Sequence, residues 1–290
     1  MLMSLSPHER IVSIINDHAD NQGAPDWIRA SVCILILLLV DFLILALFIN
    51  NVMPLPSAND RFFKPRFEPI VAMRTRLMPI IGFCGLVVSR YLIRFVRVLV
   101  MKPPLQIIEG SSLLPMLVLR PFDWEDSFLR ILDGRDEPLD FAKRIRKLAG
   151  RPSLIVAGPK ARRPNHRIPE VKFKNADWQF YVEELMTLAA GIVIYIKDSP
   201  GVWWEFEKVI EVVDRSCLLI SLQLVPDHMR KEICARLAAR LFRENAGSVA
   251  FPTDTQWINF SQGTWKSYKH LPQSVLKYFI GAMSQNAAAK

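Results

Sequence analysis

The chain has 290 residues, is 51% hydrophobic, and carries a net charge of +9. That is length for one good-sized domain with additional segments. Its four cysteines form no CxxC pair and no Cys/His cluster, which excludes a disulfide framework and a thiolate metal centre.

Taken in chain order, residues 1–27 are a largely polar N-terminal segment, expected in the cytoplasm, with a short amphipathic helix over Glu9–Asn16. Ser6 caps that helix and Pro7 sits in its first turn. Ala30 to Ile49 is a 20-residue apolar run whose only charge is Asp41. About 20 such residues cross a bilayer, so the run reads as a membrane span. Its length and polar lead-in exclude a cleavable signal peptide.

A second span is expected from Leu77 to about Val100, making residues 28–102 a two-helix transmembrane hairpin with a Pro-containing polar loop. Arg90, Arg94 and Arg97 share one helix face, where they snorkel towards lipid phosphates. In an antiparallel hairpin, Asp41 and Arg90 lie at similar depth and can pair; Asp41 facing a second subunit is the alternative. Two spans put both termini on one side. Arg90, Arg94, Arg97 and Lys102 favour the cytoplasm for the large C-terminal domain, although the connecting loop is also basic. The expected location is the cell inner membrane. The positive charge suits anionic lipid, and no nucleic-acid partner is expected.

Residues 103–112 read as a linker and residues 113–290 as one α/β domain with a C-terminal helical extension. Buried strands are expected at Leu114–Arg120, Ser153–Ala157, Ile192–Ile196 and Cys217–Val225. Helices are expected at Phe128–Leu132, Leu139–Leu148, Asp177–Ala190, Val202–Val213 and His228–Glu244, with a last one from Pro272 to Met283. Such alternation predicts a parallel sheet wound by right-handed crossovers.

The most informative segment is the strand–turn–helix from Gly191 to Val213. Its turn, Asp198-Ser199-Pro200-Gly201, falls at the C-terminal edge of the sheet, where open α/β folds bind ligands. The helix that follows carries Trp203, Trp204, Glu205 and Glu207. Its apolar stripe includes Val202, Trp203, Phe206, Val209 and Val213, with the two glutamates flanking it on opposite sides; periodicity does not choose between them. Acidic residues there either complement the helix dipole or mark a reaction site. Trp204 points off the stripe and suits a pocket wall or an interface.

The loop Arg120-Pro-Phe-Asp-Trp-Glu-Asp126, after the first strand, belongs to the same edge. Arg120 suits a phosphate or carboxylate, Phe122 or Trp124 can stack on a base, and Asp123 or Asp126 can cap a helix. A basic loop, 159–167, follows the second strand. No Walker A, GxGxxG, GxSxG or HExxH pattern is present, and no metal site is expected.

Three segments together resemble Toll/interleukin-1 receptor (TIR) domains and their bacterial relatives. Leu117-Val-Leu-Arg-Pro-Phe-Asp-Trp-Glu-Asp126 is similar to the family's first box. Ile194-Tyr-Ile-Lys-Asp-Ser199 with Trp203-Trp-Glu-Phe-Glu207 resembles its strand, serine and W-C-x-x-E helix opening. Leu219 to Pro226 resembles its second box. In another register, Ser199-Pro-Gly-Val-Trp-Trp-Glu205 resembles the P-G-x-x-x-E of nucleoside deoxyribosyltransferase-like proteins, and similar starts occur in bacterial membrane-tethered proteins. The resemblance implies a flavodoxin-like or TIR-like parallel sheet wrapped by helices. It also implies a signalling or defence effector that self-associates and hydrolyses a nucleotide such as NAD at its N-glycosidic bond. Glu205 or Glu207 would then be catalytic, with Arg120, Phe122, Asp123, Ser199, Trp203 and Trp204 binding substrate. No cofactor is implied. The opposing expectation is a non-catalytic interaction module of the same fold.

Overall fold

A computed structural model describes residues 5–19, 27–52, 103–121, 137–157, 169–173, 177–242 and 251–290, with isolated positions between 83 and 96. Residues Met1–Ala24 and Lys102–Lys290 form one compact unit, and Pro25–Met101 a second.

The core of the first unit is a seven-stranded sheet. Its strands are β1 (Met116–Leu119), β2 (Ser153–Ala157), β3 (Glu170–Lys172), β4 (Gly191–Tyr195), β5 (Leu218–Ser221), β6 (Trp257–Ser261) and β7 (Thr264–Tyr268), in the order β3-β2-β1-β4-β5-β6-β7. The first five run parallel, with Met116 opposite both Ser153 and Gly191. Every residue of β1, β4 and β5 is buried, as a strand covered on both faces requires. The expectation of an α/β domain built on a largely parallel sheet therefore holds. The antiparallel β6–β7 hairpin extends it, turning through Gln262 (φ 53°) and Gly263 (φ 78°). Two successive positive φ values make the tight turn whose twist matches the strands.

The helices, in chain order, are α1 (Pro7–His18), α2 (Trp27–Val52), α3 (Pro104–Glu109), α4 (Glu137–Ala149), α5 (Trp178–Leu188), α6 (Pro200–Val212), α7 (Asp227–Leu241) and α8 (Gln273–Ala289). The crossover from β1 through α4 to β2 runs the opposite way along the sheet from β4 through α6 to β5. Right-handed crossovers therefore put α4 and α6 on opposite faces. Helix α8 packs beside α4, and the Phe141 and Trp257 rings meet at 4.3 Å beneath them. The side chain of Met283 lies over Gly191, so closely that a Cβ there would sit 2.5 Å from its Cγ. The end of α8 also satisfies carbonyls left open by α5. Asn286 Nδ2 donates to Ala190 O at 3.0 Å, and Lys290 Nζ to Ala189 O at 2.8 Å.

Helix α1 starts with a full capping box between Ser6 and Glu9. It buries Ile11, Ile14 and Ile15 against α3 and α5, and His8 Nε2 contacts Ile108 O at 2.9 Å. Residues 103–112, read from sequence as a linker, thus hold a short packed helix whose Ile108 is fully buried. An apolar pair at Ile107-Ile108 gains more from this contact than from solvent.

In the second unit, α2 runs for 26 residues. Asp41 accepts a hydrogen bond from Ser89 Oγ at 2.9 Å, one residue before Arg90, the partner expected from sequence. Among the described residues, no helix is long and apolar enough to cross a membrane.

Candidate functional site

Between β1 and β4 the crossovers diverge to opposite faces, which makes the C-terminal ends of these two strands the topological switch point of the sheet, where open α/β folds bind ligands. On one side stands Arg120, directly after β1. Its guanidinium reaches the fully buried Glu170 on β3 at 3.4 Å. Phe122 and Asp123 lie outside the described residues, as does the basic loop 159–167.

On the other side is the turn into α6. Ser199 is the N-cap in an extended conformation (φ −144°, ψ 147°), and its Oγ accepts from Val202 N–H at 3.5 Å. Pro200 follows at the first helical position, where a missing N–H costs nothing. Asp198 accepts two bonds, from Trp203 Nε1 at 2.9 Å and from Arg236 at 3.1 Å. The Arg236 guanidinium lies 3.9 Å from the Trp203 ring centroid, and that of Arg240 lies 4.9 Å from it. Arg240 in turn binds Glu207 at 3.0 Å. Trp203 is therefore clasped between α6 and α7 by cation–π contacts. Trp204 leans edge-on against Trp178 at 5.5 Å, filling the seam between α6 and α5. The two tryptophans expected to wall one pocket diverge to opposite flanks of α6.

The glutamates also part company. Glu207 is half exposed and ion-paired. Glu205 is 1% exposed, buried on the flank of the stripe formed by Val202, Phe206 and Val209. Neither of its oxygens has a hydrogen-bond partner among the described residues. Burial pushes its pKa well above the ordinary carboxyl range, which favours the neutral acid. Among the described residues, no grouping of His, Cys, Asp and Glu suits a metal ion.

Sequence reasoning missed Glu170, Arg236 and Arg240, and gave Asp198 a place in the turn but no role. The arginines belong to the basic outer face of α7. Their partners lie on other elements, which periodicity along one helix does not report. The fold defines an α/β domain with a topological switch point between β1 and β4 and a buried, unpartnered carboxyl on the helix that follows β4. No protein-family model, curated protein or solved structure matches the chain.

Proposed function

We propose that this domain binds a nucleotide such as NAD at the β1/β4 switch point and hydrolyses its N-glycosidic bond, with Glu205 as the catalytic carboxyl. The observation that carries this reading is Glu205 itself: a buried, unpartnered acid on the helix that follows β4. Such a group is costly to keep, and perturbed carboxyls concentrate at functional sites. As the cationic substrate binds, Glu205 would give its proton to solvent. The carboxylate would then stabilise the oxocarbenium-like transition state and take up a proton from the water that adds to the sugar carbon as the base leaves. Arg120 would orient a phosphate, and Ser199 would hold the turn. The five parallel strands run in the order β3-β2-β1-β4-β5, a doubly wound arrangement whose β1/β4 switch point supports ligand binding there.

We further propose that Pro25–Met101 is a two-span membrane hairpin of a bacterial inner-membrane protein, with the α/β domain in the cytoplasm and activity dependent on self-association. Three observations support the hairpin: the apolar run from Ala30, the Asp41–Ser89 bond, and the packing of α1 into the same unit as residues 102–290. That packing requires both ends of the hairpin to share a side. Reporters fused to the two termini should therefore report one compartment, and opposite compartments overturn the hairpin.

The catalytic reading is tested by nicotinamide release from NAD by the full-length protein reconstituted at high density. Turnover should be lost in Glu205→Gln and kept in Glu207→Gln. Absence of turnover, or turnover unchanged in Glu205→Gln, refutes it. A non-catalytic interaction module is the second reading, favoured by the 1% exposure of Glu205 and by the engagement of Trp203 and Trp204 in helix packing. It predicts no nucleotide binding by calorimetry.

A further inference from the structure

On the face of the sheet opposite α6, helices α4 and α8 leave a groove between them. It is lined by Arg144 and Leu148 from α4, and by Gln273, Leu276, Lys277 and Ile280 from α8. These positions recur at helical spacing, so each helix presents one continuous strip to the groove. The groove is amphipathic. Leu276 and Ile280 form an apolar floor, and Leu148 stands 56% exposed beside it. Arg144 and Lys277 bring one cation from each wall, and neither has an ion-pair partner among the described residues. Lys147 adds a third exposed cation one turn from Arg144. Helix α8 contains no acidic residue over its 17 positions, and the acidic residues of α4, Glu137 and Asp140, stand at its N-terminal end.

An arrangement of free cations over an apolar trough complements a ligand with one anionic head and a hydrocarbon body. Guanidinium forks bind phosphodiester oxygens through paired donors, whereas an ammonium contributes a point charge. We propose that the α4/α8 groove binds an anionic phospholipid. The headgroup phosphate would sit between Arg144 and Lys277, and acyl carbons would lie along Leu148, Leu276 and Ile280. The site is separate from the β1/β4 switch point, and it does not require that Pro25–Met101 span the bilayer.

The test uses the full-length chain in a zwitterionic detergent, titrated in parallel with short-chain phosphatidylglycerol, short-chain phosphatidylcholine, inorganic phosphate and an acidic amphipathic peptide. Hydrogen exchange is read over residues 144–148 and 273–280. Saturable protection of both segments by phosphatidylglycerol alone is expected. Near a surface each basic residue contributes roughly a fivefold factor, so Arg144→Gln with Lys277→Gln should weaken the response about 25-fold. Protection at α1 and α5 should stay unchanged in that variant, which shows that it folds. Equal protection by phosphatidylcholine, protection by free phosphate or by the peptide in place of phosphatidylglycerol, or an undiminished response in the double variant overturns the proposal. Extraction of the wild-type protein by alkaline carbonate while phosphatidylglycerol still protects the groove would defeat the membrane hairpin and leave this site standing.

Discussion

Replacing Glu205 with glutamine should flatten one component of the pH dependence of stability. In the folded domain the carboxyl is 1% exposed and unpartnered among the described residues, and burial raises its pKa. In the unfolded chain a glutamate ionises near about 4.3. Between that pH and the higher folded-state value, the unfolded state binds fewer protons than the native state, so stability falls as pH rises. Below about pH 4.3 both states are protonated, and this group imposes no pH dependence. Above it, wild-type stability should decline relative to Glu205→Gln by about 1.4 kcal/mol per pH unit, until the folded carboxyl itself ionises. Glu205→Leu should go further, because it also removes a buried group without a partner, a penalty of about 1–3 kcal/mol. Denaturant midpoints of full-length protein from pH 4 to pH 8 measure both effects. Wild type and Glu205→Gln running parallel across that range would refute the assignment of a sealed, neutral carboxyl.

Three further outcomes are expected. Gly191→Ala places a methyl 2.5 Å from Met283 Cγ and 3.1 Å from Cys217 O, so it should cost about 1–3 kcal/mol in thermal unfolding. Adding Met283→Ala should cost less than the sum of the two single changes. Asp198→Asn weakens the acceptor shared by Trp203 Nε1 and Arg236, and should cost about 1 kcal/mol, with loss of the salt dependence that the ion pair imposes. Gln262→Asn puts a residue tolerant of positive φ at the first turn position of the β6–β7 hairpin. A gain of about 0.5 kcal/mol is expected from chemical unfolding, and a loss would contradict the turn geometry.

The sheet was legible because its strands are buried on both faces. Runs such as Met116-Leu-Val-Leu and Ile192-Val-Ile-Tyr have no polar face to confuse the reading. The capping box at Ser6 and Glu9 was equally plain. Strand β3 was missed because Glu170-Val-Lys172 is polar and short, and becomes a strand by pairing with β2. The Trp257–Trp265 segment carries a usable signal, aromatic and β-branched residues around a two-residue Gln-Gly turn, yet no strand was predicted there. Helix α8 reaches Ala289, beyond the expected end at Met283, because its alanine-rich tail favours helix and its last residues bind the end of α5. The position of Glu205 was hidden for a different reason. Periodicity marks one buried face, but α6 lies between α5 and α7 as well as over the sheet, so residues on its flanks are buried too.

That crowding sharpens the contrast between two glutamates only two residues apart. Complementing the helix dipole accounts for neither: the first turn of α6 is free of acidic residues, and the dipole's influence fades beyond that turn. Glu207 has an ordinary explanation in Arg240, an ion pair at a half-exposed surface worth little to stability. Glu205 has no such partner among the described residues, and its neighbours Val202, Phe206 and Val209 form a face that an aliphatic side chain would fill without penalty. At this position leucine would be more stable than an acid that folding keeps dry, which is the observation on which the proposed catalytic role of Glu205 rests. The proposal places that role at the β1/β4 switch point, where Arg120 follows β1 and Ser199 caps the helix after β4.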